Sequence, residues 1–203
     1  GILVGMVLGA IPAVIGGVFK AYFRVSEIIT TLMLNYIIAQ LVGWVIRGPL
    51  QAEGTHLPQS AMIHEWEMIP KLFKGSAAST SIFIAIACTI LFAFVLYKTP
   101  FGYNIKICGG SVKAAVYSGI RPEWYYVAVM SISGLISGLA GVVDICGNQY
   151  RLQENISDGF GFDAMLISLI GVRTPLGVFL AAFLMALLKV GGNVMQITCK
   201  VPT

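Results

Sequence analysis

From Ser79 to Tyr97 the chain carries no charged side chain and is built mainly from Ile, Leu, Phe, Val and Ala. A run of about 20 such residues matches the hydrocarbon thickness of a bilayer, where only a helix satisfies its own backbone groups. Ile2 to Phe19 and Ile28 to Ile46 repeat the pattern, as does Trp124 to Ile145 up to Asp144 near its end. Apolar residues make up 57% of the 203 and charged residues 11%, against about 45–50% and about 25% in soluble domains. The charges gather between the apolar runs, as expected where one at the bilayer centre costs about 2.5–3.5 kcal/mol. At about 20 residues per span, about five or six crossings fit. The expected fold is therefore all-α, a polytopic transmembrane helical bundle forming a single domain over residues 1–203. Gly1 opens inside an apolar run with no initiator methionine, basic leader or cleavage pattern, so truncation at both ends is expected.

Polar and small residues inside the runs predict which faces meet protein. Gly5, Gly9, Ala13 and Gly17 recur every fourth residue, a smooth stripe against which another helix packs closely. Pro12 kinks that helix, and Lys20 and Arg24 end the run. The second run holds Thr30, Thr31, Asn35 and Gln40, which should face protein or water. Ser133, Ser137 and Gly141, together with Gly134 and Gly138, mark another close-packing face.

Charge orients the spans. Lys98, Lys106, Lys113 and Arg121 stand against Glu123 alone, whereas the 47–78 connection balances Arg47, Lys71 and Lys74 with Glu53, Glu65 and Glu67. The positive-inside rule places Lys20, Arg24 and the 98–124 loop in the cytoplasm and the 47–78 loop outside. The formal charge of +4 suits such loops better than a nucleic-acid surface, so nucleic acid is not an expected partner. Ala164 to Ile170 is too short to span. Gly171, Pro175 and Gly177 then interrupt the apolar character before Val178 to Val190, leaving two readings open: paired half-helices lining a pathway, or one kinked helix.

No catalytic constellation emerges. His56 and His64 lie near Glu65 and Glu67 without zinc-ligand spacing, and Gly109, Gly110 and Lys113 lack the phosphate-loop pattern. Cys88, Cys108, Cys146 and Cys199 share no metal or redox spacing. The 98–124 loop is more informative. Ser111 is placed to cap a short helix over Val112 to Ser118, Ala114 and Ala115 allow close approach, Val116 and Tyr117 offer apolar anchors, and Gly119 is placed to terminate it. That layout fits a knob for a partner's groove or a helix lying on lipid headgroups.

Several blocks carry a resemblance over nearly the whole chain: Ser26-Glu27-Ile28-Ile29-Thr30-Thr31-Leu32-Met33-Leu34-Asn35-Tyr36-Ile37, then Gly48-Pro49, and Thr99-Pro100-Phe101-Gly102-Tyr103-Asn104-Ile105 through Gly109-Gly110 to Gly119-Ile120. Gln149 to Gln153, Gly159 to Asp163, Leu169-Ile170-Gly171 and Pro175-Leu176-Gly177 come after them in order. Together they resemble the permease subunits of ABC importers for nucleosides and simple sugars, in the branched-chain amino acid and ribose permease superfamily. The resemblance implies a multi-pass subunit of the bacterial cytoplasmic (inner) membrane with a short cytoplasmic coupling helix. It implies as partners ATP-binding cassette ATPase subunits, a second and distinct homologous permease, and an external substrate-binding lipoprotein, all within membrane lipid. It implies no cofactor on this chain, ATP and Mg being used by the ATPase. Coupling would fall to Gly109, Gly110, Ser111, Lys113, Ala114, Ala115, Tyr117 and Gly119. Contact with a small-molecule solute would fall to Thr31, Asn35, Phe160, Phe162 and Asp163.

Two other functions compete. A secondary transporter or channel would draw on the interrupted helix and on Lys189, which as a bland alternative snorkels to the interface. A membrane enzyme would have to use Asp144, Asp158 and Asp163, which as external carboxylates are ordinarily just solvated.

Overall fold

A computed structural model describes residues 1–23, 25–51, 59–60, 62–63, 80–154, 156–157 and 159–199. Arg24, His56, His64, Asp158 and most of the 47–78 connection lie outside these described residues. The helices are α1 (Ile2–Phe23), α2 (Glu27–Arg47), α3 (Ser81–Lys98), α4 (Pro100–Gly110), α5 (Val112–Tyr117), α6 (Pro122–Asp144), α7 (Phe160–Ile170) and α8 (Pro175–Cys199). A π-helical turn, Ile145–Gln149, prolongs α6. Among the described residues, five segments are long and apolar enough to cross a membrane: α1, α2, α3, α6 with its π turn, and α8.

Two compact units divide the chain, one of Gly1–Ala87 with Phe94–Ile156, the other of Cys88–Ala93 with the stretch from Ser157 onward. In the first, α1 packs along α6 through glycine. A Cβ built on Gly9 would lie 2.6 Å from Gly138 Cα, and one on Gly134 would lie 2.5 Å from Ala13 Cβ. Gly17 meets Val127 and Met130, and Gly5 meets Val142. With no Cβ between them the two backbones gain dispersion contact, the main force between helices once both are in lipid. Gly141 has open space beside it, so of the two small-residue rows on α6 it is Gly134 and Gly138 that face α1.

Lys20 does not end α1. The helix runs on to Phe23, and Lys20 pairs with Glu27 at the start of α2 at 2.5 Å. At the far end of α2, Arg47 grips Glu154 with two nitrogens, at 2.6 and 2.8 Å from Nη2 and 3.3 Å from Nε. Beside this clamp, residues 59–60 and 62–63 run against 150–153: Ser60 N–H donates to Leu152 O at 2.9 Å and Ile63 N–H to Tyr150 O at 3.1 Å.

The 98–124 loop holds one helix more than expected. Thr99 and Pro100 do break α3, but they also start α4: Thr99 Oγ1 accepts from Gly102 N–H at 3.3 Å, and Pro100 occupies the first turn, where no N–H is required. A Cβ on Gly102 would lie 2.6 Å from Leu96 Cα, so glycine permits the sharp return onto α3.

In the second unit, the interrupted apolar region is neither two half-helices nor one kinked helix. It is a short helix, α7, joined by a four-residue turn to a full-length one, α8. Val172 and Arg173 take φ of 51° and 54°, and Thr174 Oγ1 accepts from Gly177 N–H at 3.3 Å to cap α8. A Cβ on Gly171 would lie 2.5 Å from Val178 N, so α8 can leave the turn that tightly only past a glycine.

Candidate solute cavity and partner-facing helix

The first unit holds a cavity of about 280 Å³ lined by residues of α1, α2 and α6, including Pro12, Thr31, Asn35, Met130, Ser133 and Ser137. Helical spacing explains the gathering. Thr31 and Asn35 are four apart on α2, Ser133 and Ser137 four apart on α6, so each pair shares a face. Pro12, Asn35 and Ser133 lie near the middles of their helices. Thr31 Oγ1 is engaged by the Glu27 carbonyl at 2.8 Å. The side chains of Asn35, Ser133 and Ser137 make no hydrogen bond among the described residues. An amide or hydroxyl left unpaired in an apolar medium costs roughly 2–7 kcal/mol, which favours water or solute over lipid at this lining. No charged side chain lines the cavity. Its Asn amide and Ser hydroxyls both donate and accept, which suits the hydroxyl and amide groups of an uncharged solute. Thr31 and Asn35 are the two lining residues expected from the sequence. Ser133 and Ser137 line the cavity too, rather than a packing face, and their offset from Gly134 and Gly138 already puts them on another side of the helix.

Phe160 and Asp163 belong to the second unit. There Asp163 pairs with Lys189 of α8, whose ammonium also lies 5.4 Å from the centre of the Phe160 ring. Lys189 thus has the acidic partner that its sequence neighbourhood lacks. Phe162 stands exposed on α7.

The short helix α5 is built as its sequence suggests. Ser111 Oγ accepts from Ala114 N–H at 3.3 Å. At the other end Gly119, at φ 76°, allows Ile120 N–H to reach Ala115 O and Gly119 N–H to reach Val116 O, both at 3.0 Å. This is the paired closure of a Schellman cap. Ala115 is 0% exposed and Tyr117 91%. Ala115, expected from sequence to be an approach surface for a partner, is instead the foot by which α5 stands on its own chain. Lys113, Ala114, Val116 and Tyr117 face outward. Positions beside Gly109 and Gly110 are open. Cys108, 6% exposed, anchors α4, and its thiol is pushed above the ordinary range by burial and then by the negative charge of Glu123.

The family described as branched-chain amino acid transport system, permease component, matches residues 1–202. The chain is 30% identical to the glucose ABC transporter permease of Haloferax volcanii over 98% of its own length and 55% of that protein's. It is 30% identical to the nucleoside ABC transporter permease NupB of Lactococcus lactis, covering 94% of this chain and 55% of that one. It is also 30% identical to the guanosine ABC transporter permease NupP of Bacillus subtilis, covering 96% and 57%. The chain thus spans a little over half the length of these relatives. No solved structure matches it. Five apolar helices of spanning length and this relationship make it a multi-pass membrane protein. On the match across almost all of its residues, the chain belongs to the branched-chain amino acid transport system permease component family.

Proposed function

We propose that the chain is the membrane-spanning core of a permease subunit in an ATP-driven importer for nucleosides or related sugar-containing solutes, seated in a bacterial cytoplasmic membrane. The observation that carries the reading is α5: a six-residue helix capped at both ends, fixed through buried Ala115, and presenting Tyr117 almost entirely exposed. A helix this short does not hold itself together in water. Its caps and its buried foot keep an apolar knob in a fixed pose, which is what transmission of a push from an ATPase subunit requires. Lys113, Ala114, Val116 and Tyr117 form the contact, with Gly109 and Gly110 leaving room beside it. Ser111 and Gly119 hold the shape.

The solute passes the uncharged cavity at Thr31, Asn35, Ser133 and Ser137. This chain binds no cofactor. ATP and Mg are used by ATP-binding cassette subunits, a second homologous permease completes the pathway, and an external lipoprotein delivers the solute. The three relatives are named for glucose, nucleosides and guanosine, and all of these carry the neutral hydroxyls that the cavity suits.

The test is copurification of the full-length permease with its ATPase in detergent, comparing the parent with Tyr117→Glu. Loss of the ATPase from a variant that still elutes as a folded, monodisperse permease supports the reading. Equal retention of ATPase by both forms removes α5 from the contact, and no ATPase with either form favours the secondary-transporter alternative.

A further inference from the structure

A second cavity of the first unit, about 470 Å³, is framed by Tyr22 at the end of α1 and by Arg121, Glu123, Trp124 and Tyr125 at the start of α6. Its aromatic wall is fixed. Trp124 and Tyr125 meet edge to face with centres 5.2 Å apart, Phe101 backs both at 6.1 and 5.6 Å, and Asn104 Nδ2 donates to the Tyr125 hydroxyl at 2.7 Å. Its two charges are of opposite sign and uncommitted: neither Arg121 nor Glu123 forms an ion pair among the described residues.

Arg121 and Glu123 are both solvent-exposed at the start of α6. Here they stand apart around a hollow that also offers three aromatic rings. The hollow lies at the ends of two spanning helices, the depth at which Trp and Tyr sit among lipid headgroups. A ligand matching all of this bears an anionic and a cationic group a short distance apart, and arrives from the membrane. Phosphate meets a guanidinium with two parallel hydrogen bonds. A primary ammonium donates to a carboxylate and is drawn to aromatic faces.

We propose that this cavity seats the headgroup of one zwitterionic phospholipid of the ethanolamine type, its phosphate on Arg121 and its ammonium on Glu123 beside the aromatic rings. A purely anionic lipid would satisfy Arg121 but bring negative charge toward Glu123. The headgroup would bind where α1, α4 and α6 come together, close to the root of α5, so its occupancy would stiffen the base of that helix. The site is separate from the solute cavity and stands whether or not the transport reading does.

The test uses the full-length permease exchanged against vesicles of equimolar phosphatidylethanolamine and phosphatidylglycerol, with retained lipid identified by native mass spectrometry. The expected result is retention of phosphatidylethanolamine above its share in the vesicles. For partly exposed charge pairs the enrichment should fall about twofold to fivefold in Arg121→Gln and in Glu123→Gln. Tyr22→Phe, which keeps the ring, should retain it. Retained lipid that mirrors the vesicles in the parent overturns the proposal. So does enrichment that survives Glu123→Gln, and so does a preference for phosphatidylglycerol, which would mark a site for the phosphate alone. Elution position and melting temperature of each variant separate loss of lipid from loss of fold. If both glutamine variants misfold, the parent's retained lipid alone decides, enrichment supporting the proposal and its absence overturning it.

Discussion

Gly9 of α1 and Gly138 of α6 meet backbone to backbone, with only 2.6 Å between the Gly138 Cα and the point where a Gly9 side chain would begin. Neither backbone is the far end of a flexible side chain, so nothing there can yield cheaply. Gly9→Val should therefore lower stability by about 1–3 kcal/mol, the usual cost of overpacking. Gly141→Ala, with open space around it, should raise it by about 0.5–1 kcal/mol because Ala is the better helix residue. Thermal unfolding in detergent reads both, and similar melting of the two variants would refute the close contact.

Asp163 and Lys189 neutralise each other in a hairpin that is otherwise uncharged along α7 and α8. Removing one partner strands the other charge, at up to about 3 kcal/mol for a residue at mid-span. Lys189→Met and Asp163→Asn should each lower yield and melting temperature, and the double variant should recover part of the loss. A double variant as poor as the sum of the singles would show that the pair is not coupled.

Arg47 and Glu154 lie 107 residues apart in sequence and tie the end of α2 to the segment after α6. Both are partly exposed, at 66% and 35%, so solvent screens the pair. A double-mutant cycle with Arg47→Met and Glu154→Gln should give a small favourable coupling that shrinks in high salt. A coupling indifferent to salt would contradict the ionic account.

The Cys108 thiol is held above its ordinary range first by burial and then by Glu123. With the other cysteines replaced by serine, its alkylation should be slower than that of the unfolded chain at every pH below the folded value, the thiolate being the nucleophile. Its neutral form favours the fold. That contribution is complete below the ordinary thiol range and is lost as pH rises through the raised folded value. Equal alkylation rates in folded and unfolded protein near pH 8 would show that the thiol is not shielded.

The range of each interaction decides how much of the structure is legible in the sequence. The spanning helices α1, α2, α3 and α6 and the Ser111 and Gly119 caps of α5 are legible because apolar runs and capping residues act within a few positions, whereas the break at Gly171 to Gly177 hides the full length of α8. The small-residue rows on α1 and α6 are visible too, but not which row of α6 meets α1, since one residue's offset turns a helix by about 100°. Helix α4 is hidden because Thr99-Pro100 reads first as a stop. The same dipeptide is a start signal, a cap followed by a residue that needs no N–H donor. The partner of Lys189 and the clamp at Arg47 depend on chain reversals, which residue patterns alone do not supply. In the cavity, Thr31 and Asn35 draw notice as polar residues in an apolar run, whereas Ser133 and Ser137, being small, pass for packing.

The π-helical turn after α6 closes with Tyr150 N–H donating to Ile145 O at 2.8 Å, so the end of that helix holds one residue more than an α-helix of the same height. That surplus residue sets the rotational phase of the chain beyond it. Deleting any one position from Ile145 to Gln149 would let the helix regularise and swing the downstream segment by about 100°. Tyr150 would leave its left-handed conformation, and residues 150–153 would lose their place against Ser60 and Ile63. Glu154 would turn away from Arg47 as well. The alignment of this whole margin is thus governed by a single insertion in one turn, and it is far more sensitive to the length of that turn than to which side chains occupy it.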